Sequence, residues 1–253
     1  MSANEHTEAT IGGATVPRRT VGDRLRWLWR YWLPYRRVLV FLAFFTLVST
    51  AVTVAYPLVV GLHGNGSNAD NLMESLPTDA FSGMICAAPD GAYLRTDLAS
   101  VRGEPFSWYL PDADRALRPV LDALTSDYVL KVVDDVSQRH RVSKVILLGF
   151  SQGVSVAYLS ALKHPDRVAG IVAFAGGFPT TSLTPEQLKA GSHIRVMIAH
   201  GTEDQQVRIA SSERARDLLR EAGYRVQFET FDGGHTLPPD VMRNAGAWIR
   251  SWK

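Results

Sequence analysis

From Pro57 onward the chain switches repeatedly between two hydrophobic periods. Short apolar runs bounded by Gly, Pro, Asp or His predict buried strands over Leu58–Leu62, Gly83–Ala88, Lys144–Gly149, Ala169–Ala175, Arg195–His200 and Val226–Phe231. Between them, longer mixed stretches predict helices over Ala69–Ser75, Arg115–Gln138, Gly153–Lys163, Pro185–Ala190, Ile209–Ala222 and Pro239–Trp252. Strands that are apolar at almost every position are covered on both faces, and strands alternating with helices are joined by parallel crossovers. The pattern therefore predicts an α/β body at residues 56–253, built on a mostly parallel, doubly wound sheet. No internal repeat or low-complexity segment interrupts it.

Ahead of this body the pattern is different. Residues 1–16 are polar and small and predict no regular structure. In "RLRWLWRYWLPYRR", Trp27, Trp29, Tyr31, Trp32 and Tyr35 alternate with arginines, a composition suited to a lipid headgroup interface. Val38–Ala55 follows with no charged residue. As a helix it would span about 27 Å, close to a bilayer core of roughly 30 Å. This is read as a single membrane anchor, with residues 1–37 as a basic interfacial segment and residues 24–55 as the membrane contact. Arginines before the run and none soon after it predict a cytoplasmic N-terminus and a body on the other side. A cleaved secretory signal and a buried β-hairpin are the alternatives, and without an anchor the chain would be cytoplasmic.

Charge supports this division. Residues 1–37 hold seven Arg against Glu5, Glu8 and Asp23, a balance of +4; the chain's net +2 leaves −2 for the rest. A body that is slightly acidic argues against nucleic acid as its partner. The only cysteine, Cys86, excludes an internal disulfide and a cysteine-rich metal site.

The chemistry lies in the body. "KVILLGFSQGVSVAYLSAL" places Gly149-Phe150-Ser151-Gln152-Gly153 just after a buried strand and just before a helix, the context a G-x-S-x-G nucleophile turn requires. The glycines allow a tight turn that lifts the Ser151 hydroxyl above the sheet. A serine hydroxyl is a weak nucleophile at neutral pH, so it needs a base, and the base needs an orienting carboxylate. "IRVMIAHGTEDQQV" ends a strand and offers Asp204, with Glu203 as its rival. "VQFETFDGGHTLPP" ends the last strand and offers His235, while Asp232 reads as a turn residue. The order Ser, acid, His is the one this turn is expected to keep. His63, His164, His193 and His200 have no such placement and read as surface or packing residues. Hydrolysis passes through an oxyanion that needs two N–H donors. The backbone N–H of Gln152 would supply one, and that of Asn65, in the "LHGNGSN" loop, the other.

Two resemblances follow from these stretches. "LRWLWRYWLPYRRVLVFLAFFTLVSTAVTVAYPLVVG" looks like the elbow helix and first spanning helix of an ABC exporter, over residues 19–61. No further spanning segment and no phosphate loop follow, so exporter function does not carry over. Residues 57–253 resemble the phospholipase/carboxylesterase family of α/β-hydrolases, the group that contains acyl-protein thioesterases. "PLVVGLHGNGSNADN", "FSWY" at Phe106–Tyr109, "GFSQG", "HGTEDQQV" and "GGH" carry that resemblance, in the right order. It implies an α/β-hydrolase fold, with Ser151 as nucleophile, Asp204 as acid and His235 as base, and Trp108 and Tyr109 lining an acyl groove. It also implies strands ahead of Leu58, which the pattern here does not supply.

The expected reaction is cleavage of carboxylic esters of short to medium acyl chains, lysophospholipids or acyl thioesters, through an acyl-enzyme on Ser151. It requires no metal and no cofactor. The competing expectation is a membrane transport or assembly subunit in which the hydrolase fold is an idle module.

Overall fold

The computed structural model describes residues 54–98, 103–110 and 113–252, with short pieces between residues 9 and 41. The chain divides into two compact units, Met1–Val54 and Ala55–Lys253. In the first, β1 (Ala9–Ile11) pairs antiparallel with β2 (Ala14–Val16), so a stretch expected to lack regular structure carries a short hairpin. Most of the run at 38–55, expected to be an anchor, lies outside the described residues. Among those described, no helix is long and apolar enough to cross a membrane.

The second unit is built on six strands: β3 (Tyr56–Leu62), β4 (Ile85–Ala87), β7 (Val142–Phe150), β8 (Gly170–Phe174), β9 (Arg195–Gly201) and β10 (Arg225–Phe231). Their order is β10-β9-β8-β7-β3-β4, and every neighbouring pair is parallel. A separate two-stranded antiparallel ribbon, β5 (Tyr93–Leu94) with β6 (Phe106–Ser107), was not expected from the hydrophobic pattern. Two residues per strand are too few to show a period.

Among the second unit's described residues, five helices lie in the connections, α1 (Ala69–Ser75), α2 (Arg118–Arg139), α3 (Gln152–Lys163), α4 (Pro185–Ala190) and α5 (Ala210–Glu221), and α6 (Pro239–Arg250) follows the last strand. Local sequence sets several of their ends. Asn68 accepts a hydrogen bond from the Asn71 N–H at the start of α1, and Thr184 with Gln187 forms a reciprocal capping box ahead of α4.

Because side chains alternate across a strand, each central strand feeds two cores. Leu58, Val60, Leu62, Leu147, Ile171, Val196 and Ile198 pack on one face, against Val129 and Val133 of α2, Ala157 and Ala161 of α3, and Leu219 of α5. Val59, Ile146, Leu148, Val172, Phe174 and Met197 pack on the other, against Phe81 and against Val241, Met242, Ala245 and Ile249 of α6. The continuous apolar runs in the sequence are thus explained: both faces of the sheet are covered.

The strand order also sets where a site can form. The chain runs from β3 outward to β4, then returns to the far side of β3 as β7 and continues to β10. The direction reverses between β3 and β7, and a crevice opens outside the carboxyl ends of strands at such a point.

Candidate active site

Ser151 sits at this point, between the end of β7 and the start of α3. Its φ is +53°, a left-handed conformation that costs a non-glycine residue about 1–2 kcal/mol. The turn is held by neighbours: the Ser151 N–H donates to the Phe174 carbonyl at 2.9 Å and the Val154 N–H to the Ser151 carbonyl at 3.1 Å. Gly153 is required by contact. A Cβ there would stand 2.1 Å from the Leu62 carbonyl oxygen, so the first turn of α3 rests directly on the end of β3. The strained turn leaves Ser151 partly exposed at the N-terminus of a twelve-residue helix, whose dipole favours negative charge.

The loops after β9 and β10 knit together beside it. Thr202 N–H donates to the Phe231 carbonyl and Glu203 N–H to the Gly233 carbonyl, both at 2.9 Å. A Cβ on Gly201 would lie 2.3 Å from the Gly233 oxygen, so glycine permits the approach. This brings Asp204 to His235: Nδ1 of the ring lies 2.7 Å from Asp204 Oδ2. The Asp204 side chain has no exposed surface and the His235 side chain is 9% exposed. Glu203 and Asp232 point into solvent. The other Asp204 oxygen accepts from the Gln206 and Val207 N–H groups at 2.8 and 2.9 Å. Burial works to raise the Asp204 pKa, but the bonds from His235, Val207 and Gln206 outweigh it and hold the carboxyl below its ordinary range.

With Nδ1 held by the carboxylate, Nε2 is the ring nitrogen left to take a proton. The His235 ring stacks on Phe150, the residue before Ser151, with centroids 4.8 Å apart. Among the described residues, no hydrogen bond joins Ser151 Oγ to that ring. Asp204 and His235 are paired, and the ring lies beside the turn at Ser151 without closing on its hydroxyl.

The loop after β3 packs against the same turn. A Cβ on Gly64 would lie 3.3 Å from Ser151 Cβ. The N–H groups of Asn65 and Gln152, expected as oxyanion donors, make no hydrogen bond to protein among the described residues. Gln152 also has a second job. Its side-chain oxygen accepts from the Trp108 N–H at 2.8 Å, and its amide donates to Ser107 Oγ at 3.1 Å.

Trp108 does not line an open groove as expected. It has no exposed surface, and its Nε1–H donates to the His63 carbonyl at 2.8 Å, bracing the β3 loop from within the core. Tyr109 is half-buried under the Arg118 guanidinium, 3.9 Å from the ring centre, and burial pushes its phenol up to about 12.

Of the four histidines read as surface or packing residues, two lie at the surface and two are buried and hydrogen-bonded. His164 and His193 do lie at the surface, near Asp127 and the Pro165 carbonyl. His200 is fully buried: Nε2 stands 3.2 Å from Asp204 Oδ2 and 2.8 Å from the Val207 carbonyl, and Nδ1 contacts Ser212 Oγ at 2.7 Å. His63, also fully buried, is bonded on both ring nitrogens. The signal that could have exposed both was position: His63 directly follows β3, His200 is the next-to-last residue of β9, and each precedes a glycine.

Known proteins resemble this chain in sequence and in fold. A family described as phospholipase/carboxylesterase matches residues 47–253. Carboxylesterase SOBER1 of Arabidopsis thaliana is 26% identical over 186 residues, 73% of this chain and 77% of the relative. Acyl-protein thioesterase 1 of Gibberella zeae is 28% identical over 111 residues, covering 42% of this chain and 47% of that protein. The crystal structure of SOBER1 superposes with a TM-score of 0.62 at 20% identity, over 78% of this chain and 98% of that one. Zea mays acyl-protein thioesterase 2 gives 0.60 at 21% identity, over 78% and 94%. The family match begins inside the uncharged run at 38–55, and the exporter-like reading of residues 19–61 finds no counterpart in these matches. The chain belongs, over residues 47–253, to the phospholipase/carboxylesterase family, and its second unit has the α/β-hydrolase fold.

Proposed function

We infer that the chain cleaves carboxylic esters with Ser151 as nucleophile, His235 as general base and Asp204 as the carboxylate that orients it. Family membership makes it a serine hydrolase acting on esters. The observation that carries the residue assignment is the buried His235–Asp204 pair at 2.7 Å, its ring stacked on the residue next to Ser151.

In the proposed reaction, the substrate carbonyl lies over Ser151 with its oxygen toward the free N–H groups of Asn65 and Gln152. Ser151 Oγ attacks the carbonyl carbon as His235 Nε2 takes its proton, and the two N–H groups stabilise the oxyanion. The imidazolium that forms is balanced by Asp204, which stays ionised. His235 then returns the proton to the leaving alcohol, leaving an acyl-enzyme. Water, losing a proton to the same nitrogen, releases the acid.

The substrates proposed are esters of short to medium acyl chains, with lysophospholipids and acyl thioesters as the lipid candidates. Thioesters are suggested by relatives named acyl-protein thioesterase. The loops above the strand ends carry no separate cap among the described residues, which favours an accessible cleft. Hydrolysis of p-nitrophenyl esters from acetate to palmitate by the full chain tests this. Rates should be highest at the short and medium lengths and fall to background in Ser151→Ala. A folded chain inactive on every ester and thioester contradicts it and favours an idle module.

Membrane contact through residues 24–55 is proposed from sequence alone, on the aromatic and arginine residues that precede the uncharged run. Extraction of membranes with alkaline carbonate tests it: an anchored chain stays in the pellet, and release into the supernatant contradicts the anchor.

A further inference from the structure

The loop after β3 begins with a histidine that the proposed reaction does not use. Its ring is buried 5.0 Å from that of Trp108, and its protonation state is legible from its partners. The Gly91 N–H lies 2.8 Å from His63 Nε2, and a backbone N–H can only donate. Nε2 is therefore the acceptor and the proton is on Nδ1. Nδ1 lies 2.7 Å from the Gly64 carbonyl oxygen, to which it donates. Burial holds the imidazole below its ordinary 6.5, outweighing the opposite pull of the Gly64 bond and of Asp90, and so keeps this neutral tautomer.

The Gly64 carbonyl is part of the peptide whose N–H belongs to Asn65. That carbonyl also accepts from the Ser67 N–H at 3.2 Å, closing a turn over Gly64–Ser67, and Gly66 takes the φ of +76° that a type II turn needs at its third residue. In a trans peptide the N–H and C=O point in opposite directions. With the oxygen fastened to the buried ring, the Asn65 N–H is turned away from that ring and makes no bond to protein. On the outer side, Gly64 lies against Ser151.

We propose that His63 is a positioning residue: its Nδ1–H clamps the Gly64 carbonyl and thereby aims the Asn65 N–H at the oxyanion that forms on Ser151. The proposal rests on the hydrolase reading above and adds a reason for a histidine at this position. The clamp is braced twice more, by the Trp108 indole on the His63 carbonyl and by the Gln152 side chain on the Trp108 N–H. One of the two donors is thus tied to the other, so both move as a unit with the nucleophile's helix.

Asparagine and leucine are close in shape. In Asn the side-chain NH₂ falls where Nδ1 was, so His63→Asn keeps a donor for Gly64 while His63→Leu does not. Both lose the acceptor for Gly91, so a purely structural penalty falls on both. The measurement is kcat and KM for a p-nitrophenyl ester in wild type, H63N and H63L, with the thermal midpoint of each. The expected result is H63N within several-fold of wild type in kcat, and H63L lower by about 10²-fold, the scale of losing one oxyanion donor, with KM little changed. His63→Ala, a smaller variant with no side-chain donor in any protonation state, should follow H63L and replaces it if H63L does not fold. Equal kcat in H63N and the donorless variants, or losses that only track the thermal midpoints, would overturn the clamp. Those outcomes leave wild-type hydrolysis intact, whereas a wild type that cleaves no ester overturns the hydrolase reading and the clamp together.

Discussion

Ser151 holds a φ that other serines avoid, and the strain is useful because it lifts the hydroxyl off the sheet and frees the first N–H of α3. Asp204→Asn should leave the fold intact yet lower kcat/KM about 10⁴-fold, because an amide favours the wrong imidazole tautomer. Steady-state kinetics beside a circular dichroism spectrum checks this, and a loss below tenfold would remove Asp204 from the mechanism. The His63 ring gives a pH prediction. Its pKa is lowered from 6.5, so the unfolded chain binds a proton that the folded chain resists. That term of stability is complete above 6.5 and is lost as pH falls below it toward the lowered value. Thermal unfolding between about pH 8 and pH 5 should therefore decline more steeply for wild type than for H63N; parallel curves would contradict it. Neither buried histidine was legible as such in the sequence. His63 meets Gly91, 28 residues away, and a contact of that span leaves no trace in local hydrophobic period. Trp108 misled for the same reason, since an aromatic in a non-periodic loop does not show which way it faces.

The element that assembles the site is the strand β7, the turn at Ser151 and helix α3, seated on the end of β3. Gly153→Ala would place a methyl 2.1 Å from the Leu62 oxygen, so backbone must shift. Crowding of this kind costs about 1–3 kcal/mol, and here it also pushes α3 off the loop that carries Asn65. The expected outcome is a lower thermal midpoint together with a fall in kcat beyond the stability loss; an unchanged midpoint would show that the contact is slack. Most of these elements were legible, because strands with both faces buried read as unbroken apolar runs. α1 and α4 have the bounds expected from sequence, and β7 extends at both ends of its predicted range. The ribbon of β5 and β6 was not legible. Its residues are fixed by bonds such as Arg95 N–H to the Pro105 carbonyl at 2.7 Å, not by burial on one face.

At the scale of the whole molecule, the reversal of strand order between β3 and β7 explains why Ser151, Asn65, Asp204 and His235, spread over much of the sequence, share one edge of the sheet. The proposed order of Ser151, Asp204 and His235 was read from three strand-ending motifs, and the geometry pairs Asp204 with His235 directly. Residues 38–55 show where hydropathy alone is ambiguous: the same run suits a bilayer and overlaps the start of the family match at residue 47. The central claim is that one serine, activated by this edge of the sheet, carries the reaction. The most direct test is to treat the full chain with a fluorophosphonate and map the modified peptide by mass spectrometry. A single adduct on Ser151, absent from Ser151→Ala and strongly slowed in His235→Ala, is the predicted result. An unreactive chain, or labelling that persists in Ser151→Ala at the wild-type rate, would contradict it.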